Sequence, residues 1–345
     1  MGLKMSDVAV VFGGSGFIGV WFADMLIRER GYSKVYLADI ESVEEKPHAF
    51  RRRLAKIHEG ALEFVSVDVR NSIEWCPTES IALIANFAAV HREPGHEDTE
   101  YFETNIGGAR NVCAWAERVG CDDIVFTSSI SPYGVSEGEK TEDTLTVPAT
   151  AYGSSKLVAE EIHRTWQASA SLTRTLTIVR PGVVFGPGEG GNVSRLVKAV
   201  SRGYFLYMGN RETRKAGIYV RELCNSILWV RDRQLATSVG VVLFNASMNP
   251  GPSIFDYVEA VKRVGGAKAI VPSLPYRFML VASYGIESLA RPLGISHPFS
   301  PVRIRKLVRS NNVLPGYLIA SGYKYKYDLD SAFSDWKEKC PSEWA

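Results

Sequence analysis

Val8-Ala9-Val10-Val11-Phe12-Gly13-Gly14-Ser15-Gly16-Phe17-Ile18-Gly19 is the stretch on which the fold turns. Five apolar residues, three of them β-branched, run straight into glycine, the pattern of a parallel strand buried on both faces. The amphipathic run Val20 to Arg30 follows directly. Strand, glycine turn and helix therefore stand in the order that a dinucleotide-binding turn requires. Gly13 permits the tight turn, Gly16 lets backbone approach a pyrophosphate at the positive end of the helix, and Gly19 lets helix pack on strand. Phe17 and Ile18, between the last two glycines, are counted with them as cofactor contacts.

Outward from this turn the alternation continues. A second strand, Lys34 to Ala38, ends at Asp39, about twenty residues beyond Gly19, where an acid suits a ribose diol and repels a 2′-phosphate. NAD is thus favoured over NADP. A third strand, Leu62 to Val67, ends at Asp68-Val69, positioned for the adenine edge. Ile81 to Phe87 reads as the fourth strand and closes in Ala88-Ala89, small enough to let a cofactor approach the backbone. Helical pattern over Glu97 to Val119 leads to a fifth strand, Ile124 to Thr127. This is an α/β protein with a doubly wound parallel (Rossmann) sheet, whose ligands belong at the carboxyl ends of the strands.

Beyond the fifth strand, Tyr152 and Lys156 stand four residues apart in Ala151-Tyr152-Gly153-Ser154-Ser155-Lys156, on one face of a helix. A phenol is a poor base at neutral pH, but a nearby ammonium favours the phenolate and brings it toward the working range. Alone, such a pair is common on solvated helices; its neighbours give it meaning.

Composition narrows the function. With 345 residues, 46% hydrophobic and 23% charged, the chain can bury one large or two modest domains. The formal charge is +2, and the basic runs Arg51-Arg52-Arg53 and Arg303 to Arg309 lack aromatic interleaving, so nucleic acid is not expected as a partner. Five scattered cysteines without a Cys-x-x-Cys suit a reducing compartment and argue against structural zinc; no metal is expected. No run of about eighteen apolar residues occurs and no apolar signal segment opens the chain. The expectation is a cytoplasmic protein with no membrane partner.

Taken together, Gly13 to Gly19, Asp39, Ala88-Ala89, Asn105, Thr127-Ser128-Ser129 with Tyr133-Gly134, Tyr152-x-x-x-Lys156, and Arg180-Pro181 with Phe185-Gly186-Pro187 resemble the extended short-chain dehydrogenase/reductases. Within them the chain looks like the nucleotide-sugar epimerase/dehydratase branch, over roughly residues 7 to 245. The resemblance implies that Tyr152 is the catalytic base, that Lys156 lowers its pKa and holds the nicotinamide ribose, and that Ser129 hydrogen-bonds the reacting oxygen. It adds Asn105 and Pro181 to the cofactor contacts. Substrate candidates are Ser129, Ser131, Asn192, Val193 and Lys215, the last where an arginine commonly meets a diphosphate. Many relatives are homodimers through two helices per subunit, matched here by Glu97 to Val119 and Ala151 to Ser169.

Departures from the family pattern direct the choice of reaction. Dehydratases of this family carry Asp-Glu after the catalytic hydroxyl residue, whereas this chain has Ile130-Ser131. Oxidation and reduction at one carbon remain: an NAD-dependent nucleotide-sugar 4-epimerase first, with a nucleotide-4-keto-sugar reductase and a hydroxysteroid-type dehydrogenase as alternatives. A non-catalytic dinucleotide sensor is disfavoured by the intact Ser129, Tyr152 and Lys156. Asn86 replaces the usual histidine before Ala88-Ala89, and Val183 replaces an expected asparagine.

In the last third the punctuation shifts to Gly and Pro clusters, which divides the chain into a cofactor domain, 1–181 with 217–245 returning to it, and a smaller interleaved substrate domain, 182–216 and 246–345. Val241 to Phe244 reads as a strand rejoining the sheet, and Asp328 to Trp336 as a closing helix. The nearly uncharged helix Phe278 to Ala290 is expected to pack in the small domain's core or to line an apolar pocket.

Overall fold

The computed structural model describes residues 7–46, 48–92, 95–135, 138–267, 270–290 and 310–345. Strands β1 (Val8–Phe12), β2 (Lys34–Asp39), β3 (Leu62–Ser66), β4 (Leu83–Asn86), β5 (Asp123–Thr127) and β6 (Thr175–Pro181) build its centre. After β7 (Val183–Phe185), β8 (Tyr207–Met208) and β9 (Gly217–Tyr219) comes β10 (Val241–Ala246), which joins the same sheet. The seven-stranded order is β10-β6-β5-β4-β1-β2-β3, every pairing parallel. Strand order reverses between β1 and β4, so the crevice for a ligand opens at their carboxyl ends, beside the glycine turn.

Successive side chains of a strand point to opposite faces, and here both faces are covered. Ala9, Val11, Val35, Leu37, Val125 and Val179 pack on helices Phe17–Arg30 and Val220–Thr237. Val8, Val10, Phe12, Ile124, Phe126 and Ile178 pack on helices Gly108–Val119 and Ala151–Ala168. That double coverage is why the strands read as unbroken apolar runs.

The strands β3 and β4 are shorter than the sequence suggests, and the edge strand β3 exposes Glu63, Phe64 and Ser66, as one with a single neighbour can. Helix Glu97 to Val119 is present but not uniform: Asp98–Tyr101 is α, Phe102–Gly107 is a π turn and Gly108–Val119 is α again. The wide turn carries Asn105, which is buried, and such turns recur at functional sites.

The C-terminal elements add two short parallel pairs, β7 with β9 and β8 with β11 (Ser273–Leu274). Most of their buried apolar residues join the core on one face of the sheet. One apolar cluster runs from Ala9 and Val11 through Val220 and Leu223 to Tyr257, Phe333 and Trp336. Phe185 is its hinge, with ring centroids 5.4 Å from Phe333 and 5.8 Å from both Tyr219 and Tyr257. The closing helix is Leu329–Lys339, started by a reciprocal cap between Asp328 and Ser331. Helix Tyr276–Ala290 departs from expectation: it buries Met279, Ser283 and Ala290 but leaves Phe278 64% and Leu289 73% exposed.

Candidate active site

The glycine turn leaves β1 with Gly13 at φ 73°, left-handed backbone that favours glycine. A Cβ there would also stand 2.7 Å from the Ala88 backbone nitrogen, so the end of β4 closes on the turn only because Gly13 lacks one. Likewise a Cβ on Gly19 would meet the Gly13 carbonyl at 2.5 Å, which lets the helix start directly on the turn. Asp39, at the tip of β2, accepts the Ser15 backbone N–H at 3.2 Å, bringing its carboxylate to the mouth of the turn. Ser15 Oγ is buried beside it and has no partner within the protein. An unpaired buried hydroxyl, a helix N-terminus and a carboxylate at the ribose distance in sequence together fit a dinucleotide.

Across the crevice, helix Ala151–Ala168 starts at Thr150, whose side chain accepts the Gly153 N–H at 3.1 Å. A Cβ on Gly153 would come within 2.9 Å of the Ser131 carbonyl, so the helix's first turn, with Tyr152 on it, lies against the loop after β5. In that loop Ser129 Oγ accepts the Ser131 N–H and lies 3.1 Å from Ser131 Oγ. The Ile130 N–H donates to the Pro181 carbonyl, tying the loop to the end of β6. Ser129, Ser131, Tyr152 and Pro181 are thereby assembled at the carboxyl ends of the central strands.

Lys156, one turn below Tyr152, is 2% exposed, with its ammonium 4.8 Å from the Phe126 ring centroid. Burial pulls its pKa down to about 7, opposed by the Glu160 carboxylate. Phe126 is sandwiched: the His163 ring stacks on it at 4.1 Å. His163 Nδ1 lies 2.7 Å from the Ala159 carbonyl and so donates to it, leaving Nε2 to accept from Asn86 Nδ2 at 3.2 Å. Burial drives its pKa down to about 4, which keeps the ring neutral. Asn86, the departure noted in the sequence, is thus an internal donor to a buried imidazole.

Beneath this layer Glu160 and Arg180 form a buried fork, 2.9 Å at Nε and 2.6 Å at Nη2, and the Ser128 hydroxyl also donates to Glu160. Burial works against the Arg180 cation, but the Glu160 carboxylate more than offsets it and holds its pKa above the ordinary value. Arg180 also covers the Tyr133 ring at 4.8 Å, and Tyr133 donates to Asn245 on β10 at 2.8 Å. The sequence reading did not single out Glu160 or His163. Their signal was spacing, since they fall four and seven residues after Lys156 on the same helical face.

A family model described as the NAD dependent epimerase/dehydratase family matches residues 9–241. The chain belongs to the NAD-dependent epimerase/dehydratase family. Among curated relatives it is 27% identical over 328 residues, 94% of this chain and 92% of the other, to an Escherichia coli O157:H7 protein named N-acetyl-alpha-D-glucosaminyl-diphospho-ditrans,octacis-undecaprenol 4-epimerase. It is 24% identical over 299 residues, 78% of this chain and 79% of the other, to UDP-glucose 4-epimerase 3 of Oryza sativa subsp. japonica. Among solved structures, UDP-glucuronic acid 4-epimerase from Bacillus cereus in complex with NAD superposes with a TM-score of 0.72 at 17% identity, covering 98% of this chain and 100% of that one. The cofactor is NAD.

Ser129, Tyr152 and the glycine turn thus lie at the same end of the sheet, whereas other expected site residues are engaged within the protein. Asn105 is engaged within the protein: its amide donates to the Val90 carbonyl at 3.1 Å and to Ser155 Oγ at 2.9 Å, and its Oδ1 accepts the Val90 N–H at 3.0 Å. It clamps the chain after β4 to helix Ala151–Ala168. Asp68 is held in a bidentate pair by Arg70, and Val69 packs against Gly108. Asn192 and Val193 do start a helix, Asn192–Ser201, but Glu189 already caps it. Its carboxylate accepts the Val193 and Ser194 N–H groups at 3.2 and 2.7 Å, with burial raising its pKa. The helix end that would attract a diphosphate therefore faces an acid of the chain itself. Lys215 is half-buried before β9, with burial lowering its pKa to about 8 and its backbone N–H bonded to the Pro252 carbonyl. Among the described residues no cluster of three His, Cys, Asp or Glu is placed to hold a metal ion.

Proposed function

We propose that this protein is a 4-epimerase acting on a hexose joined to its carrier through a diphosphate. The single observation that carries the reading is the assembly of Tyr152 and Ser129 at the strand ends with Ile130 and Ser131, not an acid pair, following the hydroxyl residue. Tyr152 takes the C4 hydroxyl proton while the Ser129 hydroxyl donates to the same oxygen, steadying its developing charge. NAD supplies the hydride acceptor in the first half of the reaction and the donor in the second. Without an acid beside Ser129, no group is at hand to move protons at C5 and C6, and the intermediate ketone turns its other face rather than losing water. Lys156 supports the phenolate of Tyr152 and, with it, the ribose of the cofactor.

The carrier we favour is a polyprenol. Similarity to the undecaprenol-linked 4-epimerase runs through 94% of the chain, against 78% for the UDP-glucose enzyme, and Glu189 already occupies the N–H groups at the helix start where Asn192 and Val193 were expected to meet substrate. A nucleoside diphosphate is the second reading, supported by the UDP-sugar names of other relatives. A homodimer through the helical runs Glu97 to Val119 and Ala151 to Ser169 is part of the reading; Phe102 and Val158 are exposed apolar side chains on them. Five unpaired cysteines accord with a cytoplasmic location.

The test supplies purified protein with N-acetylglucosamine on a polyprenyl diphosphate and on UDP, and separates the 4-epimers. Interconversion of the first, lost about 10²- to 10⁴-fold in Tyr152→Phe, is expected. Turnover of only the UDP sugar moves the carrier to the second reading, and net consumption of reduced cofactor with no epimer would make the protein a reductase.

A further inference from the structure

Asn86 on β4 and Phe126 on β5 are partners in the parallel register, so their side chains leave the same face of the sheet, beneath helix Ala151–Ala168. That helix sets Lys156 and His163 over them, seven residues and about 10 Å apart along its axis. The Phe126 ring fills the interval: its centroid is 4.8 Å from Lys156 Nζ and 4.1 Å from the His163 ring, with 19° between the two ring planes. All four side chains are buried. His163 is held at both nitrogens, donating from Nδ1 to the Ala159 carbonyl and accepting at Nε2 from the Asn86 amide. It cannot take a proton at Nε2 without breaking the bond from Asn86.

We propose that Phe126, backed by His163 and Asn86, is a positioning residue that holds the Lys156 ammonium beside Tyr152. The ring presents the negative face of its quadrupole to the amine, within the roughly 6 Å over which such contacts act, and so replaces part of the water that burial removes. The imidazole on the other side keeps the ring from tilting away. Among the described residues, the titratable groups that reach Lys156 are Tyr152, Glu160 and His163 on its own helix and His91 after β4. Glu160 is shared with Arg180 of β6 and with Ser128. A protonated His163 would set a second cation on the same ring, and the Asn86 donor opposes it. The asparagine that replaces the usual histidine before Ala88-Ala89 thus has a task of its own: it donates to a ring that must stay neutral. The inference rests on Tyr152 and Lys156 being the proton-transfer pair of the proposed reaction, and is independent of the sugar and its carrier.

The experiment is an NMR titration of the full-length protein, with and without NAD, carrying carbon-13 at lysine Cε; the Lys156 signal is the one lost in Lys156→Met. In Phe126→Leu the amine should lose its proton about half to one and a half pH units below the wild type. His163→Ala, which frees the back of the ring, should shift it in the same direction, and His163→Phe, which restores a flat neutral ring, should return it to the wild-type value. An unchanged titration in Phe126→Leu overturns the proposal. So does a rise, because a ring that only kept water out would favour the neutral amine, and its loss would favour the ammonium. Should Phe126→Leu fail to fold, the His163 variants decide: a His163→Ala protein that titrates like the wild type overturns the proposal. In turnover, Phe126→Leu should lower kcat about three- to tenfold with KM little changed, since the buried ring is out of a substrate's reach. An active variant with wild-type kcat overturns the positioning role. A protein that shows the titration shift and interconverts no sugar refutes the 4-epimerase reading and leaves the Phe126 platform standing.

Discussion

Lys156 is a lysine amine placed where water cannot reach it, above a phenyl ring and one turn from the Tyr152 phenol. Its pKa near 7 has a measurable consequence in the cofactor-free protein. An exposed lysine in the unfolded chain keeps its proton to about pH 10.5. Between about pH 7 and 10.5 the unfolded state therefore binds a proton that the folded state does not, and stability rises with pH across that window. Below about pH 7 both states are protonated and the full cost of burying the charge is present. Urea midpoints taken at about pH 6.5, 8 and 9.5 should climb more steeply for the wild type than for Lys156→Met. Equal slopes would mean the lysine stays charged throughout.

At the scale of elements, the catalytic helix is held by the Glu160–Arg180 fork, which ties it to β6, and by Asn105, which ties it to the chain after β4. Removing one partner of a buried pair leaves the other charge unpaired, so Arg180→Met should destabilise by about 3–5 kcal/mol, while Glu160→Leu with Arg180→Met should recover most of the loss. Denaturant unfolding of the single and double variants reads this directly; a double variant as unstable as the sum of its parts would contradict the account. These ties also mark what the sequence could and could not disclose. Val8–Phe12 with its glycines, Asp39 and the Tyr152–Lys156 spacing were legible because each depends on local backbone or on helix periodicity. The Glu160–Arg180 fork was not, since its partners lie twenty residues apart and meet only once the helix packs on the sheet. Nor was the role of Glu189 legible: in Gly188-Glu189-Gly190-Gly191 it folds back to cap the next helix, a choice set by where the loop is pinned by Arg51 and Trp21. An apolar helix reads the same whether its neighbours cover it or not, which is why Phe278 to Ala290 was expected to pack in the core or to line an apolar pocket.

For the whole molecule, the parallel sheet gathers the glycine turn, Ser129 and Tyr152 at one end, and the C-terminal elements share a core with one face of that sheet. The proposed reaction needs a substrate held there with its C4 carbon between the cofactor and the Ser129–Tyr152 pair. The central claim is that the hydrogen on that carbon leaves and returns without passing through solvent. The most direct measurement is epimerisation of the polyprenyl-diphosphate sugar in deuterium oxide, with mass spectrometry and NMR of both epimers. The account predicts interconversion with protium retained at C4 and at C5; deuterium at either carbon, or no second epimer at all, would contradict it.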